Sequence, residues 1–320
     1  MLMINNNISA TPLVSVLVAT YNQSGVVEET LQSIAKQSYK NIEIIISDDC
    51  SADGTQDILT RFAKNHPEVI LFLQPKNLGI TANYNFLAEK SRGKYVAIFS
   101  GDDVMLPEKI ERQVNVLQSD DKSSFCHHAV TVLDYRSNVA GKVITRKYEN
   151  NITSIHDVLR GFGIPGSMSV MYRKSMVENP VWDSSIRVAS DWLQIIKLTM
   201  AGRGLYLDES LCFYRQDGAY NGKDPSTYET DFINTIEAVR NIYAMPNDAV
   251  SKSCDYALRR YSLGAGYRRL IVGDRIKARY LFKTAMLDAK LFALALILCG
   301  CTFLSVNPEI LLRLKKIVRS

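Results

Sequence analysis

The first hundred residues alternate between two hydrophobic patterns. Short apolar, β-branched runs at Leu13 to Ala19, Ile42 to Ser47, Val69 to Leu73 and Tyr95 to Phe99 read as buried strands. Between them, Val26 to Lys36, Asp53 to Lys64 and Ile80 to Lys90 read as helices, the first with Val27, Leu31 and Ile34 at helical spacing. Ser24 is a cap candidate for the first helix, and Ser51 or Asp53 for the second. Pro107 opens another helix, where its missing N–H costs nothing. Alternation of this kind predicts an α/β fold, a mostly parallel central sheet with helices on both faces. The stretch from Phe125 to Asn221 is less regular, and from about Pro225 onward the pattern is helical.

In such sheets ligands bind at the carboxyl ends of the strands. Polar residues gather at those ends: Thr20-Tyr21-Asn22, Asp48-Asp49 and Gly101-Asp102-Asp103. The adjacent carboxylates of Asp102 and Asp103 repel each other and call for a cation. Oxygen ligands suit Mg²⁺ or Mn²⁺ held together with substrate phosphates. A solvated turn is the competing reading. Asp48 and Asp49 precede Cys50-Ser51-Ala52-Asp53-Gly54-Thr55 and are more acid than helix capping requires. A carboxylate there can accept the N3–H of uracil or thymine, a charge-assisted bond worth roughly 1.5–3 kcal/mol.

Taken together, the blocks from Val14 to Asn22, Asp48 to Thr55, Asn77-Leu78-Gly79 with Gly93-Lys94-Tyr95, and Ser100 to Asp103 resemble family 2 glycosyltransferases in order and spacing. The resemblance covers roughly the first 110 residues and continues more diffusely to about residue 220. It implies the GT-A nucleotide-diphospho-sugar transferase fold, a nucleotide-sugar donor, and Mn²⁺ or Mg²⁺. It also implies roles. Thr20, Tyr21, Asn22 and Asp49 would line the nucleotide pocket. Asn77 and Asn83 would lie near the ribose and diphosphate. Asp102 would contact the ribose or a metal-bound water, and Asp103 would ligate the metal. The family often reads D-x-D-D where this chain has Ser100 first, one carboxylate fewer. Ala189-Ser190-Asp191-Trp192 resembles the family's motif at a helix start, which would make Asp191 the catalytic base; a helix cap is the alternative. Phe213 to Asp217 resembles a late Y-R-x-H segment, with Asp217 in the histidine's place as a metal or diphosphate contact and Arg215 beside the diphosphate; surface loop residues are the alternative for both.

The implied domains are a catalytic domain over 1–224, with the nucleotide-sugar side at 11–110 and the acceptor side at 111–224, and a helical C-terminal region over 225–320. Two other signals fail their context tests. Gly161 to Gly166 fits G-x-G-x-x-G, but it follows a helix and contains Pro165, so it reads as a loop. His127 and His128 fall on opposite faces of a strand and make a poor metal pair.

Composition changes the picture in three places. The chain has 320 residues, 47% of them hydrophobic, enough for a sizeable core. Its six cysteines form no C-x-x-C pair, and Cys299-Gly300-Cys301 has no histidine nearby, so buried thiols in a reducing compartment are expected. From Arg259 to Ser320 basic residues outnumber acidic ones 13 to 3, although the net charge of the chain is only +5. A basic tail on an acidic body points to an anionic surface. The apolar stretch from Leu291 to Val306 has 16 residues, short of the roughly 20 that span a bilayer. The helix expected from Glu309 to Val318 has the composition of one lying in the membrane interface, with core packing as the alternative.

With no basic leader segment, the expected location is cytoplasmic, peripheral on the inner face of the plasma membrane. The function expected from the resemblance is inverting, metal-dependent transfer of one sugar from a UDP- or dTDP-sugar to a saccharide or lipid-linked acceptor. The product would be bacterial O-antigen, capsule or another surface polysaccharide. A nucleotide-binding protein without transfer activity remains an alternative. So does a relative of processive polysaccharide synthases, although neither Trp182 nor Trp192 follows an arginine as Q-x-x-R-W requires. Nucleic acid is not an expected partner, because the basic tail lacks the interleaved aromatics of a stacking platform.

Overall fold

The computed structural model describes residues 11–161, 163–186, 190–216, 225–243 and 248–303. The expected alternation opens it: β1 (Val14–Thr20), α1 (Val27–Ala35), β2 (Ile42–Asp48), α2 (Thr55–Asn65), β3 (Val69–Leu73), α3 (Ile80–Lys90) and β4 (Tyr95–Ser100). There follow β5 (Val104–Met105), α4 (Lys109–Ser119), β6 (Ser123–Asp134), β7 (Ala140–Ile144), β8 (Ile152–Thr153), α5 (Ile155–Gly161), β9 (Met171–Arg173), α6 (Ser190–Ala201) and β10 (Arg203–Gln216). Four helices come last: α7 (Pro225–Tyr243), α8 (Ala249–Ile271), α9 (Arg275–Ala285) and α10 (Phe292–Cys301).

The strands form one sheet in the order β3-β2-β1-β4-β9-β6-β10-β5, with β7 beside β6 and β8 beside β10. Strands β1 to β4 pair in parallel, as helical crossovers require, and so do β6 and β10. Short β9 runs antiparallel to both β4 and β6. The two-residue period sends Val14, Val16, Val18, Ile44, Ile46, Ala97 and Phe99 into one core with α1, α2 and α4. Leu17, Ile45 and Ile98, equally buried, point to the other face, where α3 packs.

Helix starts differ from the expectation. Ser24 caps nothing: α1 begins after Val26 with no side-chain cap, and the Ser24 amide donates to Asp53. Asp53 does serve α2, accepting from the amide and hydroxyl of Thr55. Pro107 stands two residues before α4, and its carbonyl accepts the Ser38 amide.

The chain folds as two compact units. The first comprises the described residues of Met1–Ser154, Ile164–Ser185 and Lys197–Tyr220; the second, those of Ile155–Gly163, Ile186–Ile196 and Asn221–Ser320. Where sequence placed a single boundary at residue 224, the second unit also takes in α5 and the start of α6. Its core joins Leu263 and Tyr267 of α8, Ala278 and Phe282 of α9, and Ala295 and Leu298 of α10. Asp248 and Asp274 cap α8 and α9. All six cysteines are free, and Cys126, Cys212, Cys254 and Cys299 are buried.

Candidate active site

In the first unit the carboxyl ends of β1, β2 and β4 meet. Asp48 is a structural hub rather than surplus acid. Its Oδ1 accepts the hydroxyls of Thr20 (3.0 Å) and Ser51 (2.5 Å), and its Oδ2 accepts the Ser51 amide and Gln56 Nε2, each at 2.8 Å. Thr20 is thereby buried with its hydroxyl committed. Asn22 is spent on the same loop, donating its amide to Ser51 Oγ and accepting the Ala52 amide. The Tyr21 side chain is 51% exposed, an open ring at the strand end.

Asp49 bridges to the next loop. Its two oxygens accept the amides of Leu78 (2.6 Å) and Gly79 (3.0 Å), and Asn77 donates to its carbonyl. Each carboxylate oxygen accepts more than one hydrogen bond, so Asp49 keeps capacity for a further donor. Asn83, expected near the donor, is instead 1% exposed and gives its amide to the Ser47 carbonyl. Position 83 falls on the buried face of α3, where its Oδ1 has no hydrogen-bond partner among the described residues.

The third strand end carries the acidic pair. Gly101 sits where a Cβ would lie 2.3 Å from Gln23 Oε1 and 2.6 Å from Thr20 Cγ2, so no side chain fits. Ser100, the missing first aspartate, donates its hydroxyl to Asp102 Oδ1 at 2.5 Å. Asp103 is 1% exposed. Burial first, and then repulsion by Asp102, hold its carboxyl well above the usual carboxylate range, against the easing effect of Arg215. The Arg215 amide donates to Asp103 Oδ1, and its Nη1 to the Asp102 carbonyl, both at 2.8 Å. Its Nη2 reaches Glu29 Oε2 (2.7 Å) and Asn138 Oδ1 (3.0 Å). The resemblance put Arg215 beside a diphosphate; the structure instead commits its guanidinium to holding the Asp102–Asp103 turn. Glu29 escaped the sequence reading because an acid in a first helical turn looks like ordinary dipole compensation.

The acidic pair fits a divalent ion. Two neighbouring carboxylates, one buried and disfavoured as an anion, are relieved by a dication, and Mg²⁺-type ions use one or two carboxylates plus substrate phosphates. Among the described residues no three His, Cys, Asp or Glu side chains assemble a complete metal cage. Asp217, the other expected ligand, lies outside the described residues.

His127 and His128 are both fully buried. His127 bonds Thr153 Oγ1 at 2.8 Å among Phe125, Tyr148 and Tyr206, and burial pushes it down to about 3. Lys109 is also fully buried, bonded to Gln113 Oε1, and burial pushes it down to about 8. These groups belong to the fold.

In the second unit, Asp191 lies inside the first turn of α6, and its Oδ1 accepts the Trp192 amide at 2.8 Å. The side chain retains solvent access, yet surrounding protein is dense enough that burial holds its carboxyl above the ordinary range despite that hydrogen bond. An acid at a helix N-terminus with a raised carboxyl is a competent proton acceptor.

A parallel sheet with acidic turns at its carboxyl ends, continued by a mixed half, is the architecture of a GT-A glycosyltransferase. Residues 15–178, just over half of the chain, match the Glycosyl transferase family 2 model, and the chain belongs to that family of transferases. It is similar to the putative teichuronic acid biosynthesis glycosyltransferase TuaG of Bacillus subtilis, 28% identical over 207 residues, 64% of this chain and 79% of the relative. An uncharacterized glycosyltransferase of Nostoc sp. is 27% identical over 213 residues, 65% of this chain and 66% of the relative, so the match spans about two thirds of that protein. Among solved structures, S. aureus TarS 1-349 in complex with UDP has a TM-score of 0.66 at 17% identity, covering 91% of this chain and 88% of that one. Mannosyltransferase PcManGT from Pyrobaculum calidifontis, in complex with GDP-Man and Mn²⁺, has a TM-score of 0.59 at 19% identity, covering 93% and 81%. At these identities the likeness establishes the fold.

Proposed function

We propose that this chain is an inverting, metal-dependent glycosyltransferase that moves one sugar from a UDP- or dTDP-sugar to an acceptor hydroxyl. The observation that carries the reading is the grouping of Tyr21, Asp49 and the Asp102–Asp103 pair at neighbouring strand ends. In this reading the Tyr21 ring covers the base, and Asp49, held by the 78–79 amides, takes the base N3–H. Asp103, with Asp102 beside it, would hold Mn²⁺ or Mg²⁺, which when bound offsets charge on the diphosphate leaving group. Asp191 accepts the acceptor hydroxyl's proton as that oxygen forms its bond to the anomeric carbon. The bond from that carbon to the diphosphate breaks, and the electron pair leaves with the nucleotide. The raised carboxyl makes ionised Asp191 a stronger base than an ordinary carboxylate.

A relative named for teichuronic acid biosynthesis supports a lipid-linked saccharide as acceptor, in bacterial O-antigen, capsule or similar synthesis. An anionic membrane surface is the proposed second partner, at the inner face of the plasma membrane. Helix α9 and its flanks expose Val272, Ile276, Tyr280 and Leu287, at spacings of four, four and seven, alongside Arg275, Lys277 and Lys283. Helix α10 exposes Phe292, Leu296 and Ile297 beside Lys290. That mixture suits an interfacial helix, and no helix of the described residues is long and apolar enough to cross a membrane. The expected interfacial helix at 309–318 lies outside the described residues. A thermal-shift screen of UDP, dTDP and GDP with and without Mn²⁺ tests the donor reading. A ligand at ~100 times its Kd stabilises by about 2.7 kcal/mol. Metal-enhanced stabilisation by UDP or dTDP is the expected result, and none by any nucleotide would refute it.

A further inference from the structure

Beside Asp191 stands an aromatic column that the transfer chemistry leaves unexplained. The Trp192 ring stacks on Phe232 of α7, with centroids 4.5 Å apart and planes 17° from parallel. Phe232 stacks in turn on Tyr261 of α8, at 3.7 Å and 8°. The Arg268 guanidinium lies over the Tyr261 ring, 5.4 Å from its centroid. At the other end Trp192 Nε1 donates to the Val158 carbonyl of α5 at 3.1 Å. That carbonyl also accepts the Gly163 amide at 2.9 Å, closing a turn in which Gly163 has φ +101°, a conformation suited to glycine. Helices α5 and α7 thus meet the one side chain that follows Asp191, and α8 reaches it through Phe232. Trp192 and Phe232 are both buried, at 7% and 6% exposure, so neither ring is a surface for a sugar to stack on.

From this arrangement we infer that Trp192 and Phe232 are positioning residues for Asp191, and that α7 and α8 are therefore part of the transfer machinery rather than an appendage to it. The inference rests on the assignment of Asp191 as base. The physical argument is leverage. The carboxylate's direction follows from the orientation of the first turn of α6, because Asp191 Oδ1 is itself tied to the Trp192 amide. Rotation of that turn is opposed by the indole N–H bond on one side and by the ring stack on the other. Aromatic pairs of this kind hold geometry as well as burying area. A base displaced by about 1 Å loses on the order of 10²-fold in rate. The column belongs to the second unit and the proposed nucleotide contacts to the first, so donor binding is not expected to feel its loss.

Three substitutions in the full-length chain test this against Asp191→Asn. Phe232→Ala removes the middle ring, Phe232→Tyr keeps it, and Trp192→Phe keeps the stack but removes the N–H bond. Two readouts are needed. One is transfer kinetics with whichever nucleotide sugar the enzyme consumes from a panel of UDP- and dTDP-sugars. The other needs no substrate: the titration of the Asp191 carboxyl by ¹³C NMR on aspartate-labelled protein, assigned by its absence in Asp191→Asn. The expected result is a kcat lowered by about 10²-fold in Phe232→Ala and less in Trp192→Phe. Donor KM should stay within a few-fold, the Asp191 titration should move toward the ordinary carboxylate range as the first turn of α6 loosens, and Phe232→Tyr should restore both. An unchanged kcat and titration in Phe232→Ala would overturn the inference while leaving Asp191 as base. A loss of kcat with an unmoved titration in both Phe232→Ala and Trp192→Phe would also overturn it, since general destabilisation explains that pattern. Transfer retained by Asp191→Asn would remove the base assignment and this inference with it.

Discussion

The backbone amide of Arg215 donates to Oδ1 of Asp103 at 2.8 Å, joining β10 to the turn after β4 across 112 positions of sequence. The same residue's guanidinium holds the Asp102 carbonyl and is itself braced by Glu29. One residue therefore fixes both aspartates of the proposed metal site from behind. Partners of this kind, once removed, weaken metal affinity by about 10–100-fold. Arg215→Met keeps the amide bond to Asp103 and removes only the guanidinium's hold on the Asp102 carbonyl, so Mn²⁺-dependent UDP binding is expected to weaken toward the lower end of that range, about 10-fold, with metal-free UDP binding unchanged. Calorimetry with and without Mn²⁺ checks it.

Asp103 itself should cost stability when no cation is present. Its folded-state carboxyl lies above the unfolded value, so between those two values the folded chain holds a proton that the unfolded chain has released. Stability contributed by that proton is lost as pH rises through the window. Asp103→Asn, without metal, should melt higher than the unsubstituted protein at pH 7, each kcal/mol appearing as about 2–4 °C in Tm. The gain should shrink toward ~pH 4, the ordinary carboxylate range. Melting curves in EDTA across that range decide it; an equal or lower Tm at pH 7 goes against the account.

Asp49 joins fold and function. Its carboxylate holds the Leu78 and Gly79 amides at the start of α3. Asp49→Ala should therefore destabilise the chain by about 1–3 kcal/mol through orphaned amides, and weaken UDP or dTDP binding by roughly 10- to 150-fold, the equivalent of one charge-assisted bond. Chemical denaturation and nucleotide titration separate the two effects. Loss of stability with unchanged affinity for both nucleotides would assign Asp49 to the fold alone.

The sequence carried the strand–helix alternation to within two residues at most ends, because buried parallel strands are continuous apolar runs that few other structures produce. It carried the three polar strand ends as well. It did not reveal which polar residues there face a ligand. Asp48 and Asp49 are neighbours of the same type, yet Asp48 is saturated by Thr20, Ser51 and Gln56, an outcome set by contacts across 28 positions as well as local ones. Asn83 turned inward because helical phase, not residue type, sets its direction. Arg215 looked like a free cation because its partner, Glu29, lies 186 positions away. The two-unit division was illegible for the same reason: α5 and the start of α6 join the C-terminal helices through tertiary packing alone.

The exposed stripe of α9 gives the membrane proposal a substitution test. Ile276→Asp, at a position 83% exposed, should leave the fold intact and lower co-sedimentation with phosphatidylglycerol vesicles. Basic residues near an anionic leaflet contribute about 1 kcal/mol each, screened by salt, so binding should also fall as salt rises. Vesicle binding that ignores both the substitution and salt, or no binding by the unsubstituted chain at low salt, runs against it.

The most direct measurement concerns Asp191. Asp191→Asn keeps the shape of the first turn of α6 but removes the proton acceptor. Transfer rate and nucleotide-diphosphate affinity should be measured on the same preparation. The account expects transfer to fall by about 10²–10⁴-fold, the range supplied by a positioned base, with nucleotide affinity unchanged within a few-fold. Transfer at the unsubstituted rate, or loss of nucleotide binding together with transfer, would contradict it.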